Sequence, residues 1–276
     1  MKPKLEPIIK GSAIVKDFTI GKKQIRVLKG LDFEIEPGEF VMISGPSGCG
    51  KSTLMNVING WEGPTGGELL VAGQDIYNMP PKDRINFMRK HIGMVHQAAF
   101  WVQSLSVIDN VAIPALLKGV SKSEARERGK ELLKILGLEQ FTHYKPADLS
   151  GGQQQRVSLL RSLVNNPMIL LADEPTGNLD SKSSDILMNL FCAINAELGR
   201  TIVMVTHNVD LLDYATKVIY IKDGQILKIE TKSAVCHKRP TGEDIGDILD
   251  LAKKNIIQIP REEEEEEERE RAAVIK

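Results

Sequence analysis

Between Leu31 and Glu36 the chain alternates Leu31, Phe33 and Ile35 with Asp32, Glu34 and Glu36, and this period of two predicts a strand with one face on a core and the other in water. One-sided strands of this kind belong to antiparallel sheets, so an antiparallel sheet is expected to open the chain. After Pro37-Gly38 the pattern changes. Phe40 to Ile43 is a continuous apolar run ahead of a glycine, which predicts a strand buried on both faces. Met168 to Ala172 and Thr201 to Thr206 are two more such runs. Ser52 to Asn59 and Ser181 to Gly199 read as helices beside them, and alternation of buried strand with helix predicts an α/β fold around a parallel sheet.

The middle of the chain follows the helical period instead. Val107 to Leu117, Lys122 to Leu136 and Gly152 to Val164 predict three successive helices with no buried strand between them. An all-helical insert, about residues 98–166, is therefore expected within the α/β domain, entering near Gln97 and leaving near Pro167. Val218 to Ile221 and Ile226 to Ile229 flank Asp223-Gly224, a hairpin signal. Beyond Thr231 the pattern fades, apart from a short helix expected around Ile245 to Lys254.

Composition narrows the class. With 42% hydrophobic residues in 276, the chain can build a core, and three cysteines are too few for a disulfide scaffold. An odd cysteine count argues for a reducing compartment. No apolar run approaches the roughly 20 residues of a membrane span, and Met1 to Lys10 lacks the apolar stretch of a signal peptide, so a cytoplasmic protein is expected. The net charge of −1 hides an asymmetry. Residues 261–276 hold eight of the 37 acidic residues and four of the 36 basic ones, leaving a body of about +3 and a tail of −4. The unbroken Glu262 to Glu268 run predicts a solvated, disordered tail, because like charges repel and bury little.

Gly45-Pro46-Ser47-Gly48-Cys49-Gly50-Lys51-Ser52 fits the phosphate-loop pattern and falls between a buried strand and a helix, the context that pattern needs. Glycines let backbone N–H groups approach phosphates, Lys51 reaches the β and γ oxygens, and Ser52 holds Mg²⁺. Cys49 inside the loop is expected to be open to thiol reagents that would block nucleotide binding. Asp173 and Glu174 end a buried strand at the carboxyl edge, where α/β sheets bind ligands. A Mg²⁺ held by Asp173 would balance their charge, and Glu174 could polarise an attacking water.

With Leu149-Ser150-Gly151-Gly152-Gln153 upstream of that strand, the chain resembles the ABC transporter ATPases over roughly residues 10–230. The resemblance extends to Gln97, to Asn178-Leu179-Asp180, to His207 after its strand and to Phe18 as an adenine-stacking aromatic where the family more often has tyrosine. It implies a P-loop NTPase with a RecA-like parallel core, an N-terminal antiparallel β subdomain and the helical insert, within residues 10–230. A C-terminal extension, 231–260, and the acidic tail, 261–276, would follow. It implies ATP held by the phosphate loop through Thr53, and by Phe18, Gln97, Ser150, Gly151, Gly152, Gln153 and Asp180. Mg²⁺ would lie on Ser52, Gln97 and Asp173, with Glu174 and His207 catalytic. Ser150 and the Gly151-Gly152 amides at a helix start would form a second anion site, which in the family closes on the nucleotide of another subunit. A homodimer around two ATP molecules is therefore implied, peripheral to the cytoplasmic membrane face and driving a separate membrane permease.

Leu149 to Val157 and Asp173 to Asp180 are most similar to the lipoprotein-releasing, macrolide-exporting and cell-division group. Ala98 to Val102 is apolar for a loop; it either packs inside the insert or meets a helix of the permease. A solute importer subunit is one alternative. A soluble ATPase acting on nucleic acid is another, although a body of +3 offers no strong basic stripe and no nucleic acid is expected.

Overall fold

Two sheets organise the computed structural model, which describes residues 6–232; the helix expected near Ile245 to Lys254 and the acidic tail lie outside those residues. Strands β1 (Ile9–Ile20) and β2 (Lys23–Ile35) form a long antiparallel hairpin. It is joined by β4 (Gly66–Val71) and β5 (Gln74–Asp75) in the order β2-β1-β4-β5. Between the hairpin and β4 run β3 (Phe40–Ser44) and helix α1 (Lys51–Ile58). Helix α2 (Pro81–His91) then leads into β6 (Ile92–His96). Three helices follow: α3 (Val107–Leu117), α4 (Lys122–Ile135) and α5 (Gly151–Leu163). The chain ends its described part with β7 (Ile169–Asp173), α6 (Ser181–Leu198), β8 (Thr201–Thr206), β9 (Lys217–Lys222) and β10 (Gln225–Thr231). The second sheet has the order β10-β9-β3-β8-β7-β6 and is parallel except for the β9–β10 hairpin.

The continuous apolar runs follow from this layering. Phe40 and Met42, Leu170 and Ala172, and Ile202 and Met204 face a core shared with α3 to α6. Their neighbours Val41 and Ile43, Ile169 and Leu171, and Val203 and Val205 face a second core shared with α1 and the antiparallel sheet. Both faces of each strand are dry, so alternation disappears from the sequence.

Serines start the three middle helices. Ser106, Ser121 and Ser150 each accept a hydrogen bond from the backbone N–H three residues on, satisfying one of the free donors at each helix start. Asn110 is fully buried and bonds Val102 through both its oxygen and its amide, which anchors the turn ahead of α3. Helix α5 also lies against β6. A Cβ on Gly93 of β6 would meet the Ser162 carbonyl of α5, so the glycine sets how closely helix and sheet approach.

The sequence pattern did not predict α2 or β6. Helix α2 buries only Met88, and β6 is a five-residue edge strand broken in composition by Gly93.

One turn joins the two sheets. Asp223 and Gly224, between β9 and β10, both have left-handed backbones (φ 51° and 77°). Gly224 accepts from the Lys29 N–H of β2 at 2.8 Å and donates to the Cys49 carbonyl at 3.1 Å. A side chain at Gly224 would strike the Val27 carbonyl, so only glycine fits both the turn and the approach.

Gly93→Ala is expected to lower unfolding free energy by about 1–3 kcal/mol through overpacking against α5. Urea denaturation checks this; an unchanged midpoint would mean that helix and strand have slack between them.

Candidate nucleotide site

The carboxyl edge of the parallel sheet carries the polar chemistry. After Ser44 the chain loops over the end of β3 and enters α1, whose N-cap, Gly50, supplies no side chain to cover the first backbone N–H groups. Gly48 and Gly50 have left-handed backbones (φ 76° and 107°), and a Cβ on Gly45 would strike the Ile221 carbonyl. Pro46, Ser47 and Gly48 form the exposed crest of the loop. Lys51 is buried at the first helical position and curls back, with Nζ 2.8 Å from the Gly45 carbonyl and 2.9 Å from that of Pro46. Its ammonium therefore lies inside the arch where a phosphate would sit. Ser52 is exposed and Thr53 half-buried on the next positions. Cys49 departs from expectation. It is only 4% exposed, and its sulfur lies beneath the loop toward Gly45, so the thiol is shielded from reagents.

Strand β7 delivers Asp173 and Glu174. The Ser52 hydroxyl is near enough to the Asp173 carboxylate to favour its charged form, while the buried Oδ1 of Asp173 has no hydrogen-bond partner. Burial, and then the negative charge of Glu174, push the Asp173 carboxyl above its ordinary range, against the pull of Ser52 and Lys51. An orphaned carboxylate oxygen beside a hydroxyl is an oxygen donor set that suits Mg²⁺, an ion that usually takes its remaining ligands from phosphate and water.

Glu174 has a left-handed backbone (φ 46°), held by its N–H on the Val205 carbonyl at 3.0 Å. This turn aims its carboxylate at His207, just past β8, whose Nδ1 lies 3.1 Å from Glu174 Oε2. Residues 33 apart in sequence thus meet across adjacent strand ends. Gln97 follows β6 in an exposed position, with its amide packed against Gly177.

The second expected anion site lies elsewhere on the chain. Ser150 caps α5 by accepting from the Gln153 N–H at 3.3 Å, and the Gln153 side chain returns a bond to the Ser150 N–H at 2.8 Å. A Cβ added at Gly151 or Gly152 would meet Leu179, just ahead of α6, or Ser183 in its first turn, and not the phosphate loop. Asp180 caps α6 through Ser183, whose backbone bond holds its carboxyl below the ordinary range. Phe18 lies half-exposed on β1 opposite Ile25, with the Lys16 ammonium 5.0 Å from its ring centre.

The apolar loop after Gln97 divides. Phe100 is 70% exposed, whereas Trp101 is tucked under the Arg161 guanidinium and donates to Gln154 at 3.0 Å. His96 stacks on Trp61, itself 60% exposed, and meets Phe100 edge-on. Burial, then the Arg161 charge, lowers the His96 pKa and favours the neutral ring. Sequence reasoning passed over Trp61, which lies far from any motif. It also missed Gln155, one of three consecutive glutamines, because an interior glutamine on a helix reads as solvent-facing; here it is buried.

A phosphate loop and acidic strand end on one parallel sheet define a P-loop nucleotide-binding protein. A profile of the family described as "ABC transporter" matches residues 28–177. An uncharacterised ABC transporter ATP-binding protein of Methanocaldococcus jannaschii is 44% identical over 225 residues, covering 82% of this chain and all of that relative. A macrolide export ATP-binding/permease protein of Wolinella succinogenes is 41% identical over 80% of this chain, which corresponds to 34% of that longer protein. The fold also resembles that of a solved dimeric ATP-binding cassette in a post-hydrolysis state bound to ADP and Pi. That similarity has a TM-score of 0.75 and 39% identity, and covers 81% of this chain and 98% of that one. The chain belongs to the ABC transporter ATP-binding proteins, the ATPases of this fold.

A carboxyl raised on folding opposes folding above its raised value and ceases to do so as pH falls through it. Asp173→Asn is therefore expected to melt higher than the parent in chelator at pH 7, with the gap closing as the buffer is acidified through the carboxylate range. A lower melting point at pH 7 would show that the charge is compensated.

Proposed function

We propose that the chain is the ATP-hydrolysing subunit of an ABC exporter or envelope-remodelling machine, working as a head-to-tail homodimer with a separate membrane permease. The observation that carries the reading is the Glu174–His207 pair, 3.1 Å apart and adjacent to the orphaned Asp173 oxygen. Lys51 and the backbone of Gly45 to Thr53 hold the β and γ phosphates, and Phe18 stacks on adenine. Ser52, Asp173 and Gln97 hold Mg²⁺, which when bound neutralises phosphate charge. Glu174 accepts a proton from the attacking water, and His207 orients Glu174 and the water from the other side.

The dimer reading is supported by the position of Gly151 and Gly152, where an added Cβ would meet Leu179 and Ser183 and not the phosphate loop of the same chain. Two solved cassettes similar to this chain are described as dimeric. In a symmetric pair, Ser150 to Gln153 and Asp180 of one copy would complete the nucleotide site of the other.

The permease reading is supported by the relatives in macrolide export, whose names combine ATP-binding and permease parts in one protein. No helix among the described residues is long and apolar enough to cross a membrane. The exposed rings of Trp61 and Phe100 around His96 offer an apolar footing for a cytoplasmic helix of such a partner. Attachment at the cytoplasmic face follows from that partnership.

Lys51→Ala is expected to lose ATP binding by calorimetry. Glu174→Gln should keep it, slow hydrolysis by about 10² or more, and accumulate an ATP-dependent dimer on sizing columns. Wild-type turnover in the Glu174 variant would move the base elsewhere.

A further inference from the structure

Gln155 stands at the fifth position of α5, and only 5% of it is exposed. Its Nε2 lies 2.8 Å from the Pro175 carbonyl, 2.9 Å from that of His96 and 3.3 Å from that of Gln97, so two N–H bonds are shared among three acceptors. Its Oε1 is buried and accepts nothing. Reversing the amide would point an oxygen at three carbonyls, so the orientation is fixed by electrostatics. The acceptors belong to neighbouring strand ends, since His96 of β6 pairs in register with Asp173 of β7. Pro175 directly follows Glu174, whose left-handed backbone persists only where its surroundings hold it.

Two more bonds from α5 reach the same loop. Gln154 accepts from Trp101, and Arg161 donates to the Phe100 carbonyl at 2.8 Å. Helix α5 therefore grips the segment after Glu174 through its first turns, and the segment after Gln97 through both its first turns and Arg161 in its last.

We infer that Gln155 is a positioning residue for hydrolysis, locking the helix that begins at Ser150 to the strand ends that carry Gln97 and Glu174. Through it, a shift of Gln97 or Glu174 on the γ-phosphate side displaces Ser150, the group offered to the other subunit. The inference rests on the ATPase reading and adds to it a residue remote from the nucleotide.

Gln155→Met keeps the length of the side chain and removes its donors. Expected are an ATP affinity, measured by calorimetry, within about threefold of the parent and a kcat per folded molecule lower by about tenfold, the equivalent of one lost hydrogen bond at the transition state. In a Trp61→Phe background, where Trp101 is the remaining tryptophan, the emission change on adding Mg-ATP should be lost in the Gln155 variant. A lower melting temperature with kcat and the Trp101 response intact would make Gln155 merely structural and overturn the inference. Should the variant fail to fold, hydrogen exchange in the wild-type chain decides. Residues 151–156, 96–102 and 175–177 should change protection together on Mg-ATP binding, and a response of the last two segments without the first would overturn it. A wild-type chain that bound no ATP would instead sink the ATPase reading.

Discussion

Burial of the parallel sheet on both faces is the constraint on which the rest of this structure depends. Within β3, β7 and β8, a charged side chain on either face would enter a dry core at a cost of several kcal/mol. Polar chemistry is confined to the first residues past the carboxyl ends. Because the strands lie in the order β3-β8-β7-β6, those residues form a row: the phosphate loop, His207, Asp173 with Glu174, then Gln97. Folding the hydrophobic sheet therefore already sorts the reactive groups, and the loops have only to aim them. Asp173 bears the strain of this arrangement, being half-buried with an oxygen that nothing in the chain satisfies.

The same layering explains what could be read from the amino acids. Runs such as Phe40 to Ile43 and Ile202 to Val205 are legible because two-sided burial leaves no polar residue to interrupt them. The three middle helices are legible for other reasons, since each begins at a serine cap and α4 keeps a wet face. Helix α2 and strand β6 left no comparable mark. The first fully buries only Met88, with Phe87 partly buried beside it, and the second trades a side chain for closeness at Gly93. Local motifs named the residues at the sheet edge, but a linear pattern cannot show that Glu174 and His207 meet or that Cys49 points inward. Gln155 was opaque for a related reason: its value lies in three carbonyls from distant segments, and carbonyls carry no residue type.

The helices between β6 and β7 have two kinds of attachment to the sheet. Apolar packing, as of Val157 and Leu160 in the shared core, is tolerant of small rotations. The polar ties at Gln154, Gln155 and Arg161 are directional and short. They fall in the first turns and in the last turn of α5, so the helix is held to the sheet edge and to the loop after Gln97 near both of its ends.

The Asp223-Gly224 turn has an effect on mechanics as well as on folding. By bonding to Lys29 of one sheet and Cys49 of the nucleotide loop, it works as a rivet through both layers. The antiparallel sheet cannot swing away from the parallel one without pulling on the arch that surrounds Lys51. That half of the molecule is thus pinned at the very loop that holds Lys51, so a displacement of either sheet is felt there.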